Sequence, residues 1–279
     1  MRPIIVAVDF SNSSLHAIEY SISFANNLGS DIMLVWVDKL TPVESIYPDL
    51  SNDTRNEAKK RFEEVIGQYQ KKLNSGIKME YKLRKGKIYH ELEILAKTVS
   101  AELIIAGTHG LSGFEEYWIG SNAFKIVTYA SCPVITVRHD YAIKETIEKI
   151  MVPIDSSPET LQKLPLVLKL SKLFKSEVHV VATHYSKLKS LQRVANKFAL
   201  QAQQYLQKNK IRCFNNNIIA EDITKGVINY AHDMEIDLLA IMTEQETPVN
   251  ILLGPHSQRL INQSDKPILS LHPQEHFCL

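Results

Sequence analysis

Short runs of aliphatic residues alternate along the chain with longer segments in which apolar side chains recur every three or four positions. A short apolar run bounded by turn residues fits a strand buried on both faces, and the three-to-four spacing fits one face of a helix. In the first half the pattern predicts strand 3–9, helix 13–28, strand 31–37, helix 54–73, strand 77–84, helix 87–99, strand 102–106, helix 121–131 and strand 133–137. The helical stripes are Leu15, Ile18, Ile22 and Ala25; Phe62, Val65, Ile66, Tyr69 and Leu73; and Ile88, Leu92, Leu95 and Val99. In the second half the stripes are Leu188, Leu191, Ala195, Phe198, Ala202 and Tyr205, then Ile223, Val227, Tyr230 and Met234. All are expected to face cores. Regular alternation of strand and helix predicts βαβ units and a parallel sheet. Residues 38–53, with Pro42, Pro48 and little periodicity, read as a long loop.

The pattern occurs twice. Ile4-Ile-Val-Ala-Val-Asp-Phe-Ser11 is echoed by Ile150-Met-Val-Pro-Ile-Asp-Ser-Ser157, so Asp155 matches Asp9. Ser30-Asp-Ile-Met-Leu-Val35 aligns with Ser176-Glu-Val-His-Val-Val181, and Glu102-Leu-Ile-Ile-Ala106 with Asp237-Leu-Leu-Ala-Ile241. Ser131-Cys-Pro-Val-Ile-Thr-Val137 aligns with Asp265-Lys-Pro-Ile-Leu-Ser-Leu271. A repeat of about 140 residues is a duplicated domain, because solenoid units are roughly 20 to 50 residues long. The expected division is a first domain 1–138, a polar linker 139–148 and a second domain 149–279.

Composition narrows the classes of function. Lys plus Arg is 32 and Asp plus Glu is 31, a net charge of +1, so there is no basic excess to neutralise a nucleic-acid backbone. The three cysteines, Cys132, Cys213 and Cys278, lie far apart and form no CxxC pair, which argues against a disulfide framework or thiolate metal site. The longest apolar runs, such as Ile32-Met-Leu-Val-Trp-Val37, fall far short of the about 20 residues a membrane helix needs. Asp9 interrupts the place where a signal peptide would still be apolar. These features predict a cytoplasmic protein with neither nucleic acid nor membrane as partner.

Ligands of open parallel sheets bind beyond the carboxyl ends of the strands, where strand order reverses. Asp9 ends the first strand, and Gly107-Thr-His-Gly110 ends the fourth. Gly120-Ser121 then opens the last helix, giving the spacing G-x2-G-x9-G-S. Glycines there let backbone N–H groups approach a phosphate, and a helix N-terminus adds donors and partial positive charge. Each residue alone also has an ordinary reading: a turn glycine, or Ser121 as an N-cap. Their combination between a strand and a helix points to an anion site. His109 can donate to phosphates or face solvent, and its position in the motif does not choose.

This spacing, after the fourth strand of a five-stranded βα repeat with Asp closing the first, resembles the universal stress protein family in its ATP-binding form, and the duplication resembles the tandem type. The resemblance covers nearly the whole chain. It implies an α/β fold of two tandem open five-stranded parallel sheets with helices on both faces and strand order 3-2-1-4-5, a Rossmann-like adenine nucleotide alpha hydrolase-like fold. Asp9 would contact the ribose, with Ala7 and Val8 along the same edge, and Val37 would touch adenine. Gly107, His109, Gly110, Gly120 and Ser121 would hold phosphates and ribose, with Asn122 beside them. The implied ligand is ATP, ADP or AMP, with Mg²⁺ as a companion of the phosphates. Ala7, Asn122 and Ala123 stand where many family members have Pro, Val or Thr, and a hydroxyl residue. The family also implies packing of the two domains as an internal pseudo-dimer through 133–137 and 267–271, with a homodimer as a further possibility.

The second half departs from the motif. Met242 and Gln245 replace Gly107 and Gly110, and Pro255, with no N–H or hydroxyl, replaces Ser121. Nucleotide is therefore expected in the first domain only, within a regulatory or stress-response protein. Asp155, His184, Glu244 and His256 fall at carboxyl-edge positions and form a candidate N/O metal set for the second domain, set against the ordinary reading of solvated side chains. The chain has no GxxxxGK[ST], GxSxG or HExxH motif. A slow ATPase or adenylate-transferring enzyme is the alternative, with His109 and Asp9 its only plausible catalytic groups; a nucleotide-free interaction module is the third reading.

Overall fold

The computed structural model describes residues 2–38, 48–108, 120–184, 189–243 and 255–273. The chain divides into two compact units, 1–139 and 140–279. In unit one the order is β1 (Ile4–Ala7), α1 (Asn12–Leu28), β2 (Ile32–Asp38), α2 (Pro48–Tyr69), β3 (Met79–Lys85), α3 (Ile88–Thr98), β4 (Leu103–Gly107), α4 (Ser121–Tyr129) and β5 (Val134–Val137). Its strands lie in the order β3-β2-β1-β4-β5, all neighbours parallel. Every residue of β1 and β5 is buried, as expected for strands covered on both faces. Because β2 and β4 flank β1 on opposite sides, strand order reverses there and the chain leaves a crevice above their carboxyl ends.

Local chemistry fixes the elements around that crevice. Ser11 caps α1, its hydroxyl accepting from the Ser14 N–H at 3.3 Å, and Gly29 ends the helix in the left-handed region at φ 67°. The inner faces of α1 and α2 contribute Phe24 and Phe62, both fully buried, each worth roughly 1.5–3 kcal/mol of transfer free energy. Helix α2 begins at Pro48, inside the stretch expected to be loop. Proline breaks a helix interior, but at the first helical position its missing N–H would have no partner anyway and its φ is already set for the helix. Residues 39–47, the rest of that expected loop, lie outside the described residues.

Unit two runs β6 (Lys149–Ile154), α5 (Leu164–Phe174), β7 (Glu177–His184), α6 (Lys189–Lys208), β8 (Cys213–Ile219), α7 (Ile223–Asp233), β9 (Leu238–Met242), α8 (Pro255–Gln263) and β10 (Ile268–Leu271). Its strand order is β8-β7-β6-β9-β10, again parallel throughout. Asp237, buried before β9, accepts from Lys144 Nζ at 2.6 Å and from the backbone N–H groups of Glu148 and Lys149 at 2.8 and 2.9 Å. The polar segment ahead of β6 is thereby tied to this unit.

The buried stripe of α6 differs from the expected one. It consists of Ala195, Ala199, Ala202 and Leu206, whereas Leu191 is 42% exposed. Leu188 lies outside the described residues. Apolar residues surround much of this helix, so the three-to-four spacing admits two neighbouring faces, and the small alanines win because they let α6 approach the sheet closely. On α7 the buried set is Ile223, Thr224, Val227 and Ala231, with Met234 exposed at the helix end. Among the described residues no helix is long and apolar enough to cross a membrane.

Candidate functional site

The carboxyl ends of β1, β2 and β4 and the first turns of α3 and α4 enclose a cavity of about 950 Å³, near the upper end of the range for small-molecule sites. Ala7, Val8, Asp9, Val37, Gly107, Gly120, Ser121 and Asn122 all line it. His109 and Gly110, the other two residues expected there, lie outside the described residues.

Three local structures shape the cavity. At the first, β1 turns into α1 through Phe10, a non-glycine residue at φ 62°. A left-handed φ on a bulky side chain is unfavourable and persists only when neighbours hold it. Here Asp9 Oδ1 accepts from Ser11 N–H at 3.0 Å, Ser14 Oγ accepts from Asp9 N–H at 3.3 Å, and the Phe10 ring packs on Phe62 with centroids 4.8 Å apart. Unit two repeats the two hydrogen bonds without the left-handed residue, since Ser156 in the place of Phe10 has no positive φ: Asp155 Oδ1 accepts from Ser157 N–H at 2.8 Å, and Thr160 Oγ1 accepts from Asp155 N–H at 3.2 Å. One oxygen of this aspartate therefore builds the turn whether or not the unit resembles a ligand site.

The second structure is the end of β4. A Cβ on Gly107 would stand 2.6 Å from the Ser13 carbonyl oxygen of α1. The glycine is needed because α1 begins against this strand end, and its own backbone faces the cavity. Met242 takes the place of Gly107 in unit two, where the helical first turn is replaced by a 3-10 turn over Pro158–Leu161.

The third is the start of α4. Its N-cap is Gly120, at φ −57° and ψ 143°, with no side-chain capping bond; Ser121 is the first helical residue. The ordinary reading of Ser121 as the N-cap is thus corrected: the Gly120 N–H is taken by Thr108 O at 2.7 Å, which draws the glycine into the cap position. Residues Ser121, Asn122 and Ala123 line the cavity at an N-terminus whose first N–H groups have no partner within the helix.

Several lining residues were not anticipated: Trp36, Asp38, Gly86, Lys87, Tyr89 and Lys125. Gly86 adopts φ 145°, open only to glycine in practice, and its N–H donates to Asp38 O at 2.9 Å, which closes β3 onto β2. The sequence held a signal, since Lys85-Gly-Lys87 also places glycine between a strand and a helix. Lys125 sits one turn beyond Ser121 with Nζ 5.9 Å from the Tyr89 ring centroid, and Tyr89 stacks on Tyr129 with centroids 4.7 Å apart. The cavity is therefore polarised, with carboxylates Asp9 and Asp38 at the strand ends and ammonium groups of Lys87 and Lys125 at the helices.

The corresponding edge of unit two is differently furnished. Lys163, at the position of Ala17, is only 2% exposed, and its Nζ donates to Thr160 Oγ1 at 3.2 Å. Burial pushes its pKa down to about 8, against a smaller opposing pull from Asp155. His184 is buried with no partner for its Nδ1 among the described residues, and His256 Nδ1 lies 3.4 Å from Thr224 Oγ1. Burial, and next Arg259, push the His256 pKa down. Among the described residues no group of three or more His, Cys, Asp or Glu is arranged to hold a metal, and Glu244 lies outside them.

Fold and cavity together define a duplicated open α/β protein with a switch-point crevice in its first unit. The sequence profile of the universal stress protein family matches residues 1–138 and 146–272, and the chain belongs to that family. Universal stress protein YxiE of Bacillus subtilis is 27% identical over 143 residues, 48% of this chain and 97% of its own length. Universal stress protein MJ0531 of Methanocaldococcus jannaschii is 26% identical over 139 residues, 49% of this chain and 82% of its own. Among solved structures, a universal stress protein from Archaeoglobus fulgidus superposes with a TM-score of 0.77 at 17% identity, covering 97% of this chain and 98% of that one. This likeness establishes the tandem fold.

Proposed function

We propose that unit one binds an adenine nucleotide in its crevice, that unit two does not, and that the chain acts as a cytoplasmic regulatory protein of the stress response, with nucleotide as its signal. The observation that carries the reading is the opening of α4: a glycine-capped helix whose first N–H groups have no partner within the helix and line a cavity that the Asp9 carboxylate also lines. Such a helix start is a ready anion site. The polarity of the cavity gives the orientation. Asp9 and Asp38 would repel phosphates and accept ribose or base donors, whereas Lys87 and Lys125 would attract the phosphate tail. The Tyr89 ring, itself stacked on Tyr129, lies 5.9 Å from Lys125 Nζ. Mg²⁺, where it accompanies the nucleotide, would be held by phosphate oxygens and Asp9, and would neutralise their charge. In unit two Pro255 begins the equivalent helix and removes an N–H from the same place.

Differential scanning fluorimetry with and without ATP tests this. A nucleotide present at one hundred times its Kd stabilises the folded state by about 2.7 kcal/mol. Ser121→Glu separates the site from the fold, because a carboxylate in the first turn favours the helix but repels phosphate. The variant is expected to melt like wild type alone and to lose the ATP shift. The absence of any shift with millimolar ATP in the wild type, or an undiminished shift in Ser121→Glu, refutes the reading.

A further inference from the structure

Strand β8 is hydrogen-bonded to β7 on one side and, among the described residues, to no strand on the other. Its sequence, Cys213-Phe-Asn-Asn-Asn-Ile-Ile219, contains no charge, proline or glycine. Exposed edges are ordinarily guarded by just such residues against pairing with another chain. The duplication supplies an internal comparison. Strand β3 holds the same place in unit one, and Met79-Glu-Tyr-Lys-Leu-Arg-Lys85 carries four charges in seven residues. The guard present on one copy of the domain is absent from the other.

We propose that β8 pairs antiparallel with β8 of a second copy of this chain, about a two-fold axis at Asn216. The backbone permits it. Val178 N–H donates to Arg212 O at 2.9 Å, so in the parallel ladder residues 212, 214, 216 and 218 turn their backbone groups to β7. The groups of 213, 215, 217 and 219 face the open edge. A two-fold axis at 216 sets 215 against 217 and 213 against 219, the pairs whose donors and acceptors point outward.

The side chains argue for a copy of the same chain rather than another partner. Read in either direction, the strand runs apolar, apolar, Asn, Asn, Asn, apolar, apolar, a symmetry that matters only for antiparallel self-pairing. Asn215 meets Asn217, amide to amide; Phe214 meets Ile218; Cys213 meets Ile219. Ile219 is 76% exposed and Phe214 37%, so pairing covers apolar surface now in water. Beside the edge, Gln203 of α6 accepts from Asn215 Nδ2 at 3.2 Å, and Leu200, one turn earlier, is 49% exposed. The same operation on β3 sets Lys82 against its own copy, although Glu80 would meet Arg84. Like charges directly opposite destabilise a strand pair.

This inference is independent of the nucleotide reading. The test is sedimentation equilibrium of the full chain across a micromolar concentration series. The wild type is expected to pass from monomer to dimer. Asn215→Lys with Asn217→Lys, and separately Asn215→Glu with Asn217→Glu, are each expected to remain monomeric, and their equimolar mixture to recover the dimer. Unchanged melting of each variant checks the fold. If either double variant misfolds, Asn217→Pro, which removes only an outward N–H, takes its place as the monomeric control. A wild type that stays monomeric, a dimer that persists in the variants, or folded Lys and Glu variants that fail to pair when mixed overturns the proposal.

Discussion

Replacing Lys163 by methionine should stabilise the protein at neutral pH. The ammonium is charged at pH 7 in both folded and unfolded chains, but the folded state holds it in a site where burial lowers its pKa from 10.5 to about 8. A difference of about 2.5 units corresponds to about 3 kcal/mol of unfavourable interaction, at about 1.4 kcal/mol per unit. Methionine has similar length and no charge, and its removal of the bond to Thr160 returns about 1 kcal/mol. The net expectation is a gain of about 2 kcal/mol, read from urea midpoints at constant m. The pH dependence identifies the cause. Between pH 8 and 10.5 the unfolded state binds more protons at this site, so wild-type stability rises with pH and the burial penalty fades. The advantage of Lys163→Met should therefore shrink by about 2 kcal/mol between pH 7 and 9.5. Cys132 and Tyr141, whose pKa values burial raises, pull stability the other way at high pH, but they are common to both proteins and cancel in the difference. A gap of equal size at both pH values, or a variant less stable than wild type at pH 7, would refute the argument.

Gly107→Ala should destabilise unit one by about 1–3 kcal/mol in urea titration, because the new methyl meets backbone at Ser13 that cannot move aside. Gly226→Ala, whose Cβ would meet the Ile218 Cγ2 methyl at 2.7 Å and the Ala220 Cβ at 3.4 Å, should destabilise less than Gly107→Ala in the same titration, since it meets side chains rather than backbone and gains about 1 kcal/mol of helix propensity. Asp237→Asn should lower stability by about 3 kcal/mol or more, measured by thermal unfolding, because it weakens the buried acceptor of one ammonium and two backbone N–H groups. Burial pushes the Cys132 thiol up to about 12, so iodoacetamide at pH 8 should label it slowly in the native protein and rapidly in urea, as mass spectrometry would show.

The fold was legible because parallel strands buried on both faces leave unbroken apolar runs, and the duplication let each half corroborate the other. The β4 and α4 parts of the crevice were legible for a related reason: glycines between a strand and a helix have few roles. The contribution of β3 and α3 was harder to see, since Gly86, Lys87 and Tyr89 reach the cavity only through a tertiary strand order that brings β3 beside β2. Periodicity also misjudged α6, where apolar residues lie on more than one face and close approach to the sheet selected alanine. Lys163 could not be foreseen at all. A lysine before an amphipathic helix reads as solvated, yet this one is buried and bonded to Thr160 of the 3-10 turn over Pro158–Leu161. Pro48 carried the opposite lesson, because the residue that breaks a helix interior also begins one well.

The paired aspartate turns have a bearing on how such domains are judged. Since Asp9 and Asp155 each accept from the N–H two residues on, an acidic residue after the first strand has a structural task in both lobes, and its presence alone does not mark a lobe that takes cargo. The telling position is the doorway of the last helix. Both lobes carry glycine there, Gly120 and Gly254; where serine follows it the first helical amide stays on offer to a visitor, and where proline follows it that amide is gone, whatever the aspartate suggests.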